Sequence, residues 1–147
     1  MITGTGIDAT EIERIEEAID RYGPRFLNRV YLPSEQAYCR RKRRAAESFA
    51  ARFAAKEAVA KALGTGFAAG VSLQSMSILA DAKGKPVVDF APGRLAERLR
   101  EAGIAGVELS LTDELDWALA FAVAWGAGTS GPAPAGSSPP GRWPGLV

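Results

Sequence analysis

Apolar residues recur along this chain with two periods, which separate the predicted helices from the predicted strands. Residues 47–63 are rich in alanine and place apolar side chains three or four positions apart, which is typical of a long helix that Gly64 would end. Residues 117–125 alternate strictly between large and small side chains, which is typical of a strand. The predicted helices are residues 11–21, 25–31, 47–63 and 92–102, with another starting at Ser34, and the predicted strands are residues 2–7, 71–79, 86–90, 106–112 and 117–125.

The order of these elements predicts the fold class. Helices and strands are mixed without a regular strand–helix–strand repeat, so the chain is assigned to the α+β class. We expect a single small domain in which a mainly antiparallel sheet packs on the long central helix. The first strand is expected to end at Asp8. Thr10 is the expected N-cap of the first helix, because a threonine side chain accepts hydrogen bonds from the free N–H groups there.

The two faces of the last predicted strand differ in bulk. The odd positions from Trp117 to Trp125 carry large side chains, whereas the four even positions between them are alanine. We expect the large face to lie in the core. The alanine face is flat enough for close packing by a helix of the same chain, which is the commoner arrangement, or by another subunit. Gly4 and Gly6 likewise indicate that another backbone approaches the first strand closely.

Composition divides the chain near residue 125. The 147 residues suit one domain, which is expected over residues 1–125. In residues 126–147 half of the positions are Gly or Pro, a composition that predicts a disordered Gly/Pro-rich tail. The first ten residues lack the pattern of a secretory signal, and the longest apolar run, residues 117–125, is far shorter than the ~20 residues of a membrane helix. We therefore expect a cytoplasmic protein with no membrane partner.

The absence of histidine and the single cysteine exclude several classes of chemistry. A chain with no histidine cannot use a Ser-His-Asp triad, a histidine-ligated zinc ion or an imidazole base. Cys39 alone forms neither an intramolecular disulfide nor a cysteine-cluster metal site. The polar chemistry that remains uses carboxylates, amines, hydroxyls and an oxygen-ligated metal.

The net charge of +1 conceals a strongly basic segment. Residues 40–64 contain eight Lys or Arg residues and only two acidic ones. Such a segment attracts phosphate groups. A solvated basic loop with no ligand is the alternative for the run from Arg40 to Arg44. The extension of basic character along the following helix, at Arg52, Lys56 and Lys61, favours a phosphate ligand.

Two carboxylates are candidates for binding a metal. Glu57 follows Phe53 by four positions, so it lies on the apolar stripe of the long helix, where a carboxylate is costly unless a cation compensates its charge. Lys61, four positions further, would form an ordinary helix ion pair with Glu57, which spacing alone favours. Asp8 would either cap the next helix or act as a ligand. Together Asp8 and Glu57 would suit magnesium, which takes few protein carboxylates, several waters and substrate phosphates.

Two motifs of the chain are specific enough to indicate a family. The first is Gly6-Ile7-Asp8, followed by Glu11-Ile12-Glu13-Arg14-Ile15. The second is the segment ARFAAKEAVAKALGTG at residues 51–66. They resemble the opening and the central signature of the holo-acyl-carrier-protein synthases, the small bacterial 4′-phosphopantetheinyl transferases. The likeness extends over essentially residues 1–125.

The resemblance implies a transferase that moves 4′-phosphopantetheine from coenzyme A to a serine of an apo-acyl carrier protein and releases adenosine 3′,5′-bisphosphate. It also implies a homotrimer with active sites between neighbouring subunits. By motif position, Asp8 and Glu57 would bind Mg²⁺, and Lys61 would contact the diphosphate of coenzyme A. These three residues are the expected catalytic residues. Gly64-Thr65-Gly66 would let backbone approach the cofactor.

Basic residues outside these roles are assigned to the two substrates that the resemblance implies. Lys42 and Arg44 are expected to bind the 3′-phosphate of coenzyme A. Arg14 and Arg21 are seven positions apart on one face of the first helix, and Arg25 follows just beyond. These three arginines are expected to bind the acidic carrier protein. Pairing with neighbouring acidic residues is the alternative, more so for Arg21 than for Arg14.

The chain departs from the family pattern at one position. The family usually has a histidine where this chain has Asp113, so no role of that histidine carries over. Asp113 and Glu35 are candidate bases, and the base is left unassigned. Two interpretations from other classes remain, a nucleic-acid-binding module built on the basic run and an inactive trimeric scaffold. Aromatic residues are not interleaved with the basic run, which disfavours a nucleic-acid partner.

Overall fold

Two antiparallel sheets and five helices make up residues 1–67 and 71–127, the part of the chain that the computed structural model describes. In chain order the strands are β1 (Ile2–Glu11), β2 (Met76–Ala80), β3 (Pro86–Phe90), β4 (Ile104–Glu114) and β5 (Trp117–Gly126), and the helices are α1 (Ile12–Tyr22), α2 (Pro24–Val30), α3 (Pro33–Arg40), α4 (Ala45–Ala62) and α5 (Arg94–Glu101). The larger sheet has the strand order β1-β5-β4, and β2 and β3 form a separate pair. The predicted α+β fold, with an antiparallel sheet on a long helix, is confirmed.

Strand β1 continues past its predicted end at Asp8 and reaches Glu11. Its ladder with β5 stays intact up to the pair of Glu11 and Trp117, so α1 begins only at Ile12. The N-cap position of α1 is Glu11, which makes no side-chain capping hydrogen bond. The prediction that Thr10 caps this helix is therefore wrong. The Thr10 hydroxyl instead donates to Asp8 Oδ2 at 2.8 Å.

The predicted strand over residues 71–79 is only partly formed. A short 3₁₀ turn at Leu73–Ser75 precedes β2, and Ser75 Oγ accepts a hydrogen bond from the backbone N–H of Ser72 at 3.0 Å. Local bonds of this kind compete with a strand ladder, which explains why β2 begins only after the turn. The turn between β4 and β5 is shorter than the gap between the predicted strands, which end at residue 112 and begin at residue 117, because β4 extends to Glu114 and leaves two residues before β5.

Helix α4 lies very close to β1 and β5. A Cβ atom added at Gly6 would lie 2.0 Å from the carbonyl oxygen of Ala58, and one added at Gly4 would lie 2.0 Å from that of Ala62. The four alanines at even positions of β5 are at most 2% exposed and continue this flat surface. The predicted close backbone approach is confirmed, and so is the packing of the alanine face on a helix of the same chain.

The bulky face of β5 points away from α4. Trp117, Phe121 and Trp125 are 43%, 45% and 43% exposed, and Ile7, which pairs with Phe121 in the ladder, is also exposed. The prediction that this face lies in the core is wrong, because the small-residue face admits the helix and takes the core position. One protomer therefore presents an apolar outer surface on its larger sheet.

A fully buried ion pair connects α3 to α4. Lys56 Nζ lies 2.6 Å from Glu35 Oε1, and neither side chain is exposed. Lys56 also donates to the carbonyl oxygens of Val30 and Leu73, and the Glu35 carboxylate accepts from two backbone N–H groups at 2.9 Å. Burial lowers the pKa of Lys56, and the charge of Glu35 opposes this effect. Lys56 thus does not contribute to a phosphate site, and Glu35 is enclosed rather than placed to act as a base.

Residues 1–67 and 71–127 contain no helix long and apolar enough to cross a membrane. Strand β5 ends at Gly126, one residue beyond the expected domain boundary. The prediction of a disordered tail concerns positions that, after Ala127, lie outside the described residues.

Replacing Gly6 by alanine tests how strictly the contact between α4 and β1 excludes side chains. The added methyl group would overlap the carbonyl oxygen of Ala58, so the helix or the strand must shift. We expect Gly6→Ala to lower the free energy of unfolding by about 3 kcal/mol, measured by urea denaturation followed by circular dichroism. Thr3→Ala, on the exposed face of the same strand, is the control and should change it by less than about 0.5 kcal/mol. Equal stability of Gly6→Ala and the wild type would contradict the close contact.

Candidate active site

Asp8 lies on the face of β1 that meets α4, two residues after Gly6. Lys61, in the last turn of α4, reaches across, with its Nζ 3.2 Å from Asp8 Oδ1 and 2.8 Å from the carbonyl oxygen of Ile7. The Thr10 hydroxyl donates to the other Asp8 oxygen. Because position 6 has no side chain, helix and strand are close enough for Lys61 to span the gap. The interpretation of Asp8 as a helix cap is wrong, since these partners hold its two oxygens.

Glu57 lies one helical turn before Lys61 and close enough to Asp8 for their charges to interact. Burial raises the pKa of the Glu57 carboxyl, and the negative charge of Asp8 raises it further, whereas Lys61 and Arg14 oppose the rise. Among the described residues, the ion pair that Lys61 forms within 4 Å is with Asp8, so the ordinary helix pair with Glu57 is not formed. The structure thus brings Asp8, Glu57, Lys61 and Arg14 together, and we call them the carboxylate cluster.

The donor set of the carboxylate cluster fits magnesium. Two neighbouring, partly buried carboxylates concentrate negative charge that a divalent cation compensates. Magnesium prefers oxygen ligands and is typically held by one or two protein carboxylates with waters and substrate phosphates. The described parts of the chain contain no group of three or more His, Cys, Asp or Glu side chains that could hold a metal ion by themselves. The other ligands would therefore be water and substrate oxygens.

The segment Gly64-Thr65-Gly66 follows the end of α4, next to Lys61. Gly64 has a φ of 71° and Gly66 a φ of 53°, in the left-handed region that favours glycine. Their backbone N–H groups already donate to carbonyl oxygens in the last turn of α4, at 3.0 and 3.2 Å. A Cβ atom placed on either glycine would meet no described atom within 4 Å. The two glycines therefore offer open space beside Lys61, while their own N–H groups are already used.

A cleft of about 340 Å³ opens beside the N-terminal turn of α4. Four cationic side chains and the end of β4 form its walls, and we call it the cation cleft. The two residues predicted to bind a 3′-phosphate, Lys42 and Arg44, both lie in it, and Arg44 also pairs with Glu47 at 2.5 Å. The charged residues that line the cation cleft are Lys42, Arg43, Arg44, Glu47, Arg52 and Asp113.

Arg52 belongs to the basic segment that is expected to attract phosphate, but no individual binding role is predicted for it from the sequence. It is 7% exposed, and its guanidinium carbon lies 4.2 Å from the centre of the Tyr38 ring, which Lys42 Nζ also approaches to 4.5 Å. Arg52 Nε is the one buried side-chain nitrogen or oxygen in the described ranges that has no hydrogen-bond partner. An arginine held on an aromatic ring with a free N–H is suited to binding an anion. The place of Arg52 in the basic segment of residues 40–64 was the available signal.

The carboxylate cluster and the cation cleft lie at opposite edges of the larger sheet. Strand β1 carries Asp8 and strand β4 carries Asp113, and these are the two edge strands. Helix α4 packs over β1 and β5 and contributes residues to both sites. One protomer therefore presents the two sites on different sides of its central helix.

The three arginines predicted to bind a carrier protein are exposed on α1 and α2. Arg14 and Arg21 border one shallow depression, and Arg25 borders a second one together with Arg29. None of the three predicted arginines forms an ion pair within 4 Å with a carboxylate in the described part of the chain, so the pairing alternative is not realised. Arg29, for which no role was predicted from the sequence, lies four positions after Arg25 and borders the same depression.

Comparison with known proteins identifies the family of the chain. A family model described as the 4′-phosphopantetheinyl transferase superfamily matches residues 4–122. The holo-[acyl-carrier-protein] synthase of Halothermothrix orenii is 44% identical over 124 residues, which span 84% of this chain and 97% of the relative.

Solved structures show the same likeness. The holo-[acyl-carrier-protein] synthase of Neisseria meningitidis matches with a TM-score of 0.79 and 41% identity, over 85% of this chain and 99% of that one. The Helicobacter pylori enzyme of the same name, solved in complex with coenzyme A, matches with a TM-score of 0.73 and 30% identity, over 82% of this chain and 99% of that one. The chain belongs to the holo-[acyl-carrier-protein] synthases of the 4′-phosphopantetheinyl transferase superfamily.

Proposed function

We propose that this protein transfers 4′-phosphopantetheine from coenzyme A to a serine of an apo-acyl carrier protein, with adenosine 3′,5′-bisphosphate as the second product. The observation that carries the proposal is the carboxylate cluster beside the open Gly64-Thr65-Gly66 segment. Attack on a diphosphate needs charge neutralisation and in-line positioning rather than covalent catalysis, and this cluster provides oxygen ligands for a metal together with fixed positive charge.

In the reaction, the serine oxygen of the carrier attacks the phosphorus that bears the pantetheine. An O–P bond forms, the bond from that phosphorus to the oxygen of the adenosine phosphate breaks, and the serine proton is released. Lys61, whose side chain is half exposed, places its ammonium group where the diphosphate would lie, and the ion pair with Asp8 orients it. Magnesium held by Asp8 and Glu57 would neutralise the charge of the diphosphate as a Lewis acid.

The cation cleft binds the 3′-phosphate of coenzyme A in this proposal. Lys42 and Arg44 provide positive charge, although Arg44 is also paired with Glu47, and Arg52 adds an N–H that has no hydrogen-bond partner among the described residues. The nucleic-acid interpretation is less well supported. The cations surround one small cleft instead of following a groove, and the Tyr38 ring is already engaged by Lys42 and Arg52, so it is not a free stacking platform.

The separation of the two sites supports an active site shared between copies of the chain. Helix α4 stands between the carboxylate cluster and the cation cleft of one protomer, so a single coenzyme A reaches both most directly when each belongs to a different copy. The exposed apolar outer face of the larger sheet supplies a surface for association. Both observations support the homotrimer expected for this chain.

Glu57→Gln tests metal binding apart from catalysis. Removing one of two neighbouring carboxylates relieves their repulsion, so the melting temperature in EDTA should rise by about 1–3 °C. The further stabilisation by millimolar magnesium should disappear, because one ligand is lost. Transfer, measured as the mass gain of the carrier protein, should fall at least about 100-fold. The exposed Glu97→Gln variant of α5 should behave as wild type, and a wild-type magnesium shift in Glu57→Gln would contradict the assignment.

Arg21→Glu tests the carrier-binding surface at a position further from the carboxylate cluster than Arg14. Reversing the charge should raise the KM for an acidic carrier protein about tenfold at low salt, with little change in kcat. The difference should shrink at high salt, because ions screen exposed charges. Steady-state kinetics at two salt concentrations measure this effect. Arg100→Glu on α5 is the matched reversal, and an unchanged KM for Arg21→Glu at low salt would contradict the surface.

Mixed assemblies test whether the active site is shared. Asp8→Asn removes a metal ligand, and Arg44→Glu places a repulsive charge in the cation cleft, so each variant alone should be nearly inactive at low coenzyme A. Refolding the two together in equal amounts should restore about a quarter of the wild-type rate, because random mixing pairs an intact cluster with a neighbour's intact cleft at that frequency. If an assembly that is shown to contain both variants recovers no activity, the carboxylate cluster and the cation cleft that bind one coenzyme A belong to the same protomer.

A further inference from the structure

Asp113 contributes a negative charge to the cation cleft, whose other lining carboxylate, Glu47, pairs with Arg44. Asp113 lies near the end of β4 and lines the cleft together with Arg44 and Arg52. In the ladder it pairs with Ala118 of β5, whose buried side chain faces α4. Paired residues in antiparallel strands point to the same face, so Asp113 lies on the α4 side of the sheet. Its carboxylate is thus directed toward the site of an anionic ligand.

Asp113 is near these cations without being tied to any of them. Within residues 1–67 and 71–127 it forms no ion pair at 4 Å or less, and Arg44 pairs with Glu47 instead. The charge of Asp113 therefore acts across the cleft, through space that a ligand would occupy. A negative group placed in this way lowers the positive potential of the cleft at every point between the walls.

The cleft has two independent features of an anion site. Arg52 lines the cleft and is 7% exposed, and its Nε has no hydrogen-bond partner within the described residues. The first turn of α4 borders the same space and has no side-chain cap, so the positive end of the helix dipole adds to the cationic charge. A phosphate group that enters meets attraction from these groups and repulsion from Asp113.

We infer that Asp113 is a specificity-determining residue that weakens the preference of this enzyme for coenzyme A over donors that lack the 3′-phosphate. The inference rests on the proposed function and deepens it. In the ligand-free protein the negative charge of Asp113 offsets part of the repulsion among the Lys and Arg side chains of the cation cleft. In the complex it repels the phosphate dianion. The affinity of dephospho-coenzyme A therefore falls less far below that of coenzyme A than it would in the same cleft without the charge of Asp113.

Asp113→Asn removes the charge with almost no change in shape. We expect the ratio of kcat/KM for coenzyme A to kcat/KM for dephospho-coenzyme A to rise about fivefold at low ionic strength and to approach the wild-type ratio at high salt. Glu114→Gln, on the next residue of β4 and on the opposite face of the strand, is the matched control and should leave the ratio unchanged. An equal change for both donors in Asp113→Asn would overturn the inference.

Binding of the product provides a readout that depends on neither the carrier protein nor turnover. Titration calorimetry measures the Kd of adenosine 3′,5′-bisphosphate and that of adenosine 5′-monophosphate. In Asp113→Asn the preference for the bisphosphate, expressed as the ratio of the two Kd values, should rise about fivefold, as in the kinetic experiment. If Asp113→Asn leaves the preference for the bisphosphate unchanged while Arg44→Ala lowers it, the role of Asp113 is overturned and the proposed function stands. Absence of transfer from either donor by the wild type would overturn both.

Discussion

The backbone of helix α4 lies so close to β1 and β5 that no large side chain fits between them. The positions of the functional groups follow from this contact. Glycine at positions 4 and 6 and the alanines of β5 are required because the strand and helix backbones leave no room for a larger group. The same closeness lets Lys61 reach Asp8 across the interface. It also brings Glu57 within electrostatic range of Asp8, so packing and chemistry share one cause.

The buried pair of Lys56 and Glu35 holds the surroundings of α4 in place. Lys56 binds the carbonyl oxygens at the end of α2 and in the turn before β2, and Glu35 binds a backbone N–H of β2. Removing one partner of such a pair leaves a buried charge without compensation, which is far more costly than replacing both. Adjacent residues on one helix thus have different tasks, since Lys56 faces the interior while Glu57 faces the carboxylate cluster.

The local sequence pattern was sufficient to predict the helices, the strands and the motif residues. It failed where the position or role of a residue depends on a contact between segments that are distant in the chain. The spacing of α4 and the small residues of β1 and β5 predicted the helix, the strands and their close approach. The sequence did not show that Lys61 pairs with Asp8 rather than Glu57, because β1 and α4 are about fifty residues apart. For the same reason Lys56 was interpreted as part of a basic surface, since its buried partner lies on another helix. The outer face of β5 was misassigned because bulk alone does not tell which face a helix covers.

The exposed indole rings on the outer face of β5 have a practical consequence. Trp117 and Trp125 are each 43% exposed on one protomer, and association of copies through that face would transfer both rings from water to an apolar environment. Indole emission moves to shorter wavelength on such a transfer. The wavelength of indole emission would therefore report association through this face, so that dissociation on dilution can be followed in real time without a label.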